Sequence, residues 1–277
     1  MATEAHSVRA ESMPNGLVRY ATEGGIATIE LFAPPANTYS YDMNRDLDEA
    51  ILRARMDESV HVIVLRGAGE KFFCAGADIS MLNSVTPQFK YYFCLHANET
   101  LNRLEQTPKL VIAALNGHTV GGGMEIAMAA DMRIARKGAG KMGLPEVSLG
   151  VLPGTGGTQR LARLVGKARA IELMATGELF SFETAAEYGV VNKVVETDSC
   201  DAFMDEVYVT ARTFVPPARA AMAVGRIKRA VQTGLEVGFE AGLALERELQ
   251  QQLFTSSDAA EGIRAYVEKR KAEFKGQ

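Results

Sequence analysis

The chain has 277 residues, of which 47% are hydrophobic and 23% charged, and its formal net charge is −4 at pH 7. This composition is ordinary for a soluble globular protein, the acidic balance disfavours nucleic acid as a partner, and no apolar run approaches the length of a membrane span. The three cysteines follow neither a zinc-binding nor a disulfide pattern, which favours a reducing compartment. We therefore expect a cytoplasmic protein without a bound metal.

The first half of the chain is predicted to alternate strands with helices. Residues 1–15 carry charges without an apolar core, so we expect a disordered tail and no targeting signal. Strands at 17–20 and 26–31 predict a β-hairpin, and a helical apolar spacing then begins at a cap, Asp42. Further strands are predicted at 62–65, 110–115 and 132–135, and further helices begin near Asp78, at Pro87 and at Met124. This alternation favours parallel βαβ units with helices packed outside.

The second half is predicted to be mainly helical. Beyond Gly166 the apolar residues follow a helical spacing, and only residues 190–195 suggest a strand. The predicted helices are 167–176, 182–188, 202–214, 218–232, 235–253 and a last helix that Ser257 and Asp258 cap and that runs to Glu273. We therefore expect an α/β core that continues directly into a helical region.

A glycine run after a buried strand marks the first candidate site. The strand at 110–115 is followed by Asn116-Gly117 and then by Gly121-Gly122-Gly123, before a helix that carries Glu125. Such a run leaves backbone N–H groups free at a helix N-terminus, where the helix dipole also favours negative charge. The stretch therefore suits a developing oxyanion with a carboxylate nearby. A turn that only allows close packing is the alternative.

A second carboxylate, Glu146, lies in the segment Gly143-Leu144-Pro145-Glu146. Two carboxyl groups beside an oxyanion site can share the acid and base steps of chemistry next to a carbonyl. Taken singly, either glutamate is more often a solvated surface group. The later run from Gly154 to Arg160 lacks the ending of a phosphate-binding loop, so we interpret it as a helix-opening turn in the pocket wall.

Two further segments allow a functional and a structural interpretation. In the turn from Cys74 to Asp78, the N–H of Ala77 can donate to a ligand; alternatively, Asp78 only caps a helix. Near the C-terminus, Tyr266 and Lys269 lie about one turn apart on the predicted last helix. This basic end either holds phosphate groups or is a solvated helix face.

Taken together, these segments resemble the crotonase (enoyl-CoA hydratase/isomerase) superfamily. The resemblance covers about residues 16–275 and rests on five motifs in the family's order. These motifs are Cys74 to Asp78, Asn116 to Gly123, Pro145-Glu146, Leu152 to Leu161 and Glu261 to Lys271. The resemblance implies an α/β fold with a crotonase-like spiral of ββα units at 16–200. It also implies a C-terminal helical region at 201–277 that builds homotrimers, often paired as hexamers.

The resemblance also implies catalytic roles. Ala77 and Gly122 correspond to the two N–H donors that form the oxyanion hole for the thioester oxygen of an acyl-CoA. Glu125 and Glu146 correspond to the paired carboxylates of hydratases. By analogy with the family, Glu125 holds and activates water while Glu146 delivers a proton to C2.

The implied activity is that of an enoyl-CoA hydratase, which adds water reversibly across the C2=C3 bond of a 2-enoyl-CoA. No cofactor is expected beyond the CoA of the substrate. An enoyl-CoA isomerase and a specialised acyl-CoA dehydratase are alternatives on the same fold, and the acidic balance disfavours an RNA-binding relative. The residues implied to contact substrate or CoA are Ala75, Asp78, Tyr266 and Lys269.

The segment before the first helix departs from the family pattern. Family members often carry a basic residue before an Asn-Ala-Leu-like turn, whereas this chain has Ala33-Pro34-Pro35-Ala36-Asn37-Thr38-Tyr39. One nucleotide-phosphate contact of the family therefore has no matching residue here. Tyr39 and Tyr41 are also larger than the usual residues, which can alter the CoA site or its neighbourhood.

Overall fold

The computed structural model describes residues 10–277, which form two β-sheets with flanking helices. The strands are β1 (Glu11–Ser12), β2 (Val18–Glu23), β3 (Ile26–Leu31), β4 (Val62–Gly67), β5 (Phe72–Cys74), β6 (Leu110–Leu115), β7 (His118–Val120), β8 (Met132–Arg136), β9 (Lys141–Gly143), β10 (Phe180–Ser181) and β11 (Lys193–Val195). The α-helices are α1 (Tyr41–Met56), α2 (Ile79–Ser84), α3 (Pro87–Gln106), α4 (Gly122–Met128), α5 (Gly157–Val165), α6 (Lys167–Thr176), α7 (Phe182–Glu187), α8 (Cys200–Arg212), α9 (Ala221–Gly234), α10 (Phe239–Phe254) and α11 (Ser257–Val267). A short 3-10 helix covers Glu146–Leu149.

The larger sheet has seven strands in the order β1-β2-β3-β4-β6-β8-β11. Its first two pairs are antiparallel, and every following pair is parallel. All six residues of β6 are buried, as is typical of an inner strand in a parallel sheet covered on both faces. The α/β class, the hairpin and the parallel strands predicted from the sequence are confirmed.

The smaller sheet brings the candidate segments together. Its order is β10-β9-β7-β5, and the pairs β5–β7 and β7–β9 are parallel. The carboxyl ends of parallel strands lie at one edge of a sheet, so the segments that follow these three strands converge. They are the turn at 75–78, the glycine run at 121–123 and the 3-10 helix that carries Glu146. None of the four strands of this sheet was predicted from the sequence, because two or three residues are too few to show a strand periodicity.

Helices α8 to α11 follow the sheets. Helix α8 packs the side chains of Phe203, Met204 and Val207 on the larger sheet, where they join a cluster with Val62 and Ile112. This apolar contact holds the start of the helical region against the core. Predicted helices α6 and α7 also form, close to their expected bounds.

Two helices are capped by serines that lie before the predicted cap residues. The cap of α1 is Ser40, whose hydroxyl accepts the N–H of Met43 at 3.2 Å, so the prediction of Asp42 as the cap was wrong. Likewise Ser256 caps α11, in place of the predicted pair one and two residues later. Helix α4 begins at Gly122, which places the free end of the helix within the glycine run itself.

The last helix ends at Val267 rather than near residue 273 as predicted. Lys269 has a φ of 54°, and the N–H of Arg270 returns to a carbonyl of the last helical turn at 3.0 Å, which is the bonding of a Schellman helix ending. The guanidinium of Arg270 binds Glu261 at 2.6 Å and draws the chain back along the helix. Tyr266 and Lys269 therefore do not share a helix face, contrary to the prediction.

The prediction of a disordered tail at 1–15 is corrected in part. Residues 1–9 lie outside the described range. Glu11–Ser12 pair with β2, and the side chain of Met13 is only 2% exposed in the core. An apolar side chain thus anchors the chain before the predicted start of the core.

Candidate active site

Two unpaired backbone N–H groups lie at the edge of the smaller sheet where the segments that follow β5, β7 and β9 converge. Neither the N–H of Ala77 nor that of Gly122 donates a hydrogen bond within residues 10–277. The two turns are adjacent, because a Cβ atom added to Gly76 would stand 3.5 Å from the Gly122 nitrogen. Gly122 opens α4, so its N–H is one of the donors that a helix N-terminus leaves free. A pair of such donors is suited to a developing oxyanion.

Gly121 controls the approach of the second carboxylate. Its φ of 55° and ψ of −128° belong to a backbone region that residues with a side chain avoid. Its N–H donates to the carbonyl of Gly143 at 2.8 Å, which ties the glycine run to the strand before Glu146. A Cβ atom here would stand 2.8 Å from Oε1 of Glu146. Glycine therefore provides both the turn and the room for this carboxylate.

The carboxylate of Glu125 is buried and accepts three hydrogen bonds from one loop. Its Oε1 accepts the N–H groups of Thr155 at 2.8 Å and Gly157 at 2.7 Å, and its Oε2 accepts the Thr155 hydroxyl. Gly157 is the first residue of α5, so the helix dipole also points at the carboxylate. The run predicted as a pocket wall thus also fixes the orientation of Glu125.

Glu146 lies in contrasting surroundings. Its Oε2 is buried and finds no hydrogen-bond partner anywhere from residue 10 to residue 277. Burial raises the pKa of Glu146 to about 7, and the charge of Glu125 adds to the rise. A carboxyl group in this state can hold a proton near neutral pH and deliver it to a neighbouring atom.

No individual role was predicted for Thr155, and Tyr39 was predicted only to alter the CoA site or its neighbourhood. The side chain of Tyr39 is 4% exposed and packs on Gly122, where any side chain would overlap its ring. Its hydroxyl lies 3.4 Å from that of Thr155, 116 residues along the chain. Tyr41 is instead partly exposed and packs against His96. No local sequence signal could reveal the contact between Tyr39 and Thr155, because the two residues meet only after the strands have paired.

The remaining predicted binding residues have structural contacts of their own. The N–H of Ala75 donates to the carbonyl of Ala36 at 3.0 Å, and Asp78 caps α2. Tyr266 and Lys269 are exposed, and no hydrogen bond within the described chain joins either of them to the two glutamates. Contacts of these four residues with substrate stay predictions.

Other chemistries find little support in the described residues. Across residues 10–277, no three His, Cys, Asp or Glu side chains cluster as metal ligands. Cys74 is buried, and burial raises its pKa to about 12, which keeps it a neutral thiol near neutral pH. In the same range no helix has both the length and the apolarity needed to cross a membrane.

Comparison with known proteins agrees with this geometry. The profile of the Enoyl-CoA hydratase/isomerase family matches residues 21–277. The chain is 39% identical to the short-chain-enoyl-CoA hydratase of Clostridium acetobutylicum over 252 residues, which are 91% of this chain and 94% of that protein. It is 34% identical to the crotonyl-CoA hydratase of Syntrophomonas wolfei, over 91% of this chain and 95% of the relative.

A solved structure extends the similarity to three dimensions. The crystal structure of an enoyl-CoA hydratase from Geobacillus kaustophilus superposes with a TM-score of 0.90 at 43% identity, covering 94% of this chain and 97% of the other. The predicted crotonase-like fold is thereby confirmed, and the relatives support the predicted hydro-lyase activity. The chain belongs to the enoyl-CoA hydratase/isomerase family.

Proposed function

We propose that the protein is an enoyl-CoA hydratase that adds water across the C2=C3 bond of a 2-enoyl-CoA thioester. The observation that carries the proposal is the pairing of Glu125 and Glu146 in unlike environments beside two free N–H groups. One carboxylate is held by three donors, and the other has a buried oxygen that finds no partner within residues 10–277. Hydration needs this asymmetry, since one group must activate water while the other gives a proton.

The mechanism follows from the charge that develops. As water attacks C3, electrons move through the double bond to the thioester oxygen, where the N–H groups of Ala77 and Gly122 stabilise the enolate. Removing one such donor typically costs about 3–4 kcal/mol of transition-state stabilisation. Glu125 takes the proton from water, and the protonated Glu146 delivers its proton to C2. The hydroxyl group ends on C3, and the enzyme retains one proton shared by the pair.

The substrate is expected to supply the only CoA required, with no further cofactor. We assign residues 16–200 to the catalytic core and 201–277 to a helical region that joins subunits into a trimer or a hexamer. In that assembly Tyr266 and Lys269 would contact the CoA of a neighbouring subunit, and Ala75 and Asp78 the substrate of their own. The exposed position of Tyr266 and Lys269 on one protomer supports this role.

The test is hydration of crotonyl-CoA, followed as loss of enoyl absorbance. Glu125→Gln and Glu146→Gln preserve shape but remove the acid and base, so each should lower kcat by at least about 100-fold while substrate still binds. The two groups act on one addition, so the double variant should lose far less than the product of the single losses.

The matched control is Glu206→Gln on the exposed side of α8, which should leave kcat unchanged. Full activity in either single variant would contradict the two-carboxylate mechanism. A wild-type protein that hydrates no 2-enoyl-CoA, yet interconverts 3-enoyl and 2-enoyl thioesters, would be an isomerase.

A further inference from the structure

Tyr39 is built into the candidate active site by both its backbone and its ring. Its N–H donates to the carbonyl of Gly76 at 2.9 Å, and its carbonyl accepts the N–H of Asp78 at 3.0 Å, so it pairs with the residue between them. One face of its ring stacks on Phe93, with centroids 5.5 Å apart and planes 14° from parallel. Its hydroxyl-bearing edge covers Gly122. The phenol is therefore held in one position.

The direction of the hydrogen bond between Tyr39 and Thr155 can be assigned. A threonine hydroxyl has one proton, and the proton of Thr155 is donated to Oε2 of Glu125. In the 3.4 Å contact between the two hydroxyl oxygens, Tyr39 must then be the donor. The three groups form a chain in which a phenol donates to a hydroxyl and the hydroxyl donates to the carboxylate.

The phenol stays a donor throughout the neutral range. Burial raises the pKa of Tyr39 well above its usual value, and the negative charge of Glu125 adds to the rise. An aliphatic side chain could fill the same space, but it would leave the buried Thr155 oxygen without its donor. Without Tyr39, the Thr155 hydroxyl keeps only its bond to Glu125 among residues 10–277, so it can rotate away from the carboxylate more easily.

We propose that Tyr39 is a positioning residue, which fixes the Thr155 hydroxyl and through it the plane of the Glu125 carboxylate. The inference rests on the proposed hydratase function, in which Glu125 must present one oxygen lone pair to water. Tyr39 touches no reacting atom in this scheme. Its loss should therefore lower kcat and leave KM nearly unchanged, because the ring that shapes the pocket is a separate feature from the hydroxyl.

The kinetic test uses Tyr39→Phe, which keeps the ring and removes the hydroxyl. We expect kcat for crotonyl-CoA hydration to fall about 3- to 10-fold, the range that one hydrogen bond controls, with KM within about twofold of wild type. Thr155→Ala removes the hydroxyl that joins Tyr39 to Glu125. Adding Tyr39→Phe to this variant should therefore cause no further loss of kcat. Thr155→Ser retains the hydroxyl and should recover most of the kcat that Thr155→Ala loses. Tyr92→Phe, an exposed phenol on α3, is the matched control and should have no effect.

Two results would overturn the inference in an active enzyme. One is a Tyr39→Phe variant with wild-type kcat; the other is an equal fold loss from Tyr39→Phe with and without Thr155→Ala, because independent effects multiply. The contact itself is tested without activity by urea unfolding of wild type, both single variants and the double variant. Additive changes in unfolding free energy would show that Tyr39 and Thr155 are not coupled. If the wild-type protein hydrates no 2-enoyl-CoA, but the unfolding free energies still show that Tyr39 and Thr155 are coupled, the result would count against the proposed function alone.

Discussion

In the proposed mechanism two glutamates have opposite tasks, and their immediate neighbours differ. Glu125 accepts three hydrogen bonds from the loop at 155–157. Glu146 has a buried oxygen that finds no such donor within residues 10–277, and burial raises its pKa to about 7. The proposed assignment of Glu125 as base and Glu146 as acid therefore rests on the number of hydrogen-bond donors around each carboxyl group, and not on residue type.

The raised pKa of Glu146 predicts the pH dependence of hydration. The protonated form is needed to deliver a proton to C2, and kcat/KM reports the ionisation of the free enzyme, so kcat/KM should fall about tenfold per pH unit above about pH 7. Initial-rate assays of crotonyl-CoA hydration at a series of pH values across this range measure the decline. Hydration takes up no net proton, so kcat/KM for the reverse dehydration must show the same dependence on pH as kcat/KM for hydration. A kcat/KM that stays level well above pH 8 would contradict this assignment.

The same shift has a consequence for stability. The folded protein binds the Glu146 proton more tightly than the unfolded chain, whose pKa is near the ordinary 4.5. The contribution of this group to stability is therefore fully present below about pH 4.5 and is lost as the pH rises through about 7. Glu146→Gln, which mimics the protonated form, should remove that part of the pH dependence of urea unfolding.

At the scale of elements, a buried ion pair fastens helix α9 to the larger sheet. Lys228 of α9 binds Asp131 at 2.9 Å and also donates to the carbonyl of Lys109 at 3.0 Å. The same oxygen of Asp131, Oδ2, also accepts the N–H of Val111, the second residue of β6, at 2.7 Å. The side chains of the pair are only 3% and 12% exposed, so water cannot replace either partner. The pair thereby sets where the helical region meets the strand that leads into the glycine run.

Breaking this pair should strongly destabilise the fold. Lys228→Met removes the cation and leaves Asp131 buried without its partner, which typically costs about 3–5 kcal/mol. Urea unfolding followed by circular dichroism measures the change. Arg163→Gln, which breaks an exposed ion pair with Glu236 at 2.8 Å, is the control and should alter stability far less. Equal destabilisation by the two variants would show that burial of the Lys228 pair has no special energetic role.

At the scale of the whole molecule, the C-terminal helices carry many large hydrophobic side chains that are exposed on one protomer. Large hydrophobic side chains lie more than two-fifths exposed along α9 to α11 and their connections: Ile227, Val231, Leu235, Val237, Phe239, Phe254, Ile263, Tyr266 and Val267. A protein with such a face tends to bury it against another copy. This surface supports the trimer or hexamer proposed above.

Light scattering should accordingly give a mass three or six times 29.9 kDa at micromolar concentration. Phe239→Glu places a charge on the exposed helical face, where desolvating it would oppose association, and should lower the measured mass. Met56→Glu, at an equally exposed position at the end of α1, is the control and should leave the mass unchanged. A stable wild-type monomer would refute the assembly.

Much of the fold could be predicted from the sequence, because the signals for its elements are local. The strand at 110–115 was predicted with the bounds that the structure shows, since six consecutive apolar residues between turn signals suit a strand buried on both faces. The glycine run, with a carboxylate one turn beyond it, indicated where a helix would leave N–H groups free. The resemblance of five ordered motifs to one family then indicated the fold and the activity, which the relatives support.

Other features were decided only by tertiary structure. The last helix stops at Val267 because Arg270 turns back to Glu261, a contact that helical periodicity cannot signal. Glu125 is separated by 30 residues from the loop that holds it, and Tyr39 by 116 residues from the threonine it contacts. The backbone hydrogen bonds of helices and strands follow short periods, and the spacing of apolar residues along the sequence displays these periods. The state of each carboxylate instead depends on which distant donors strand order and register bring to it, and these appear only once the two sheets have formed.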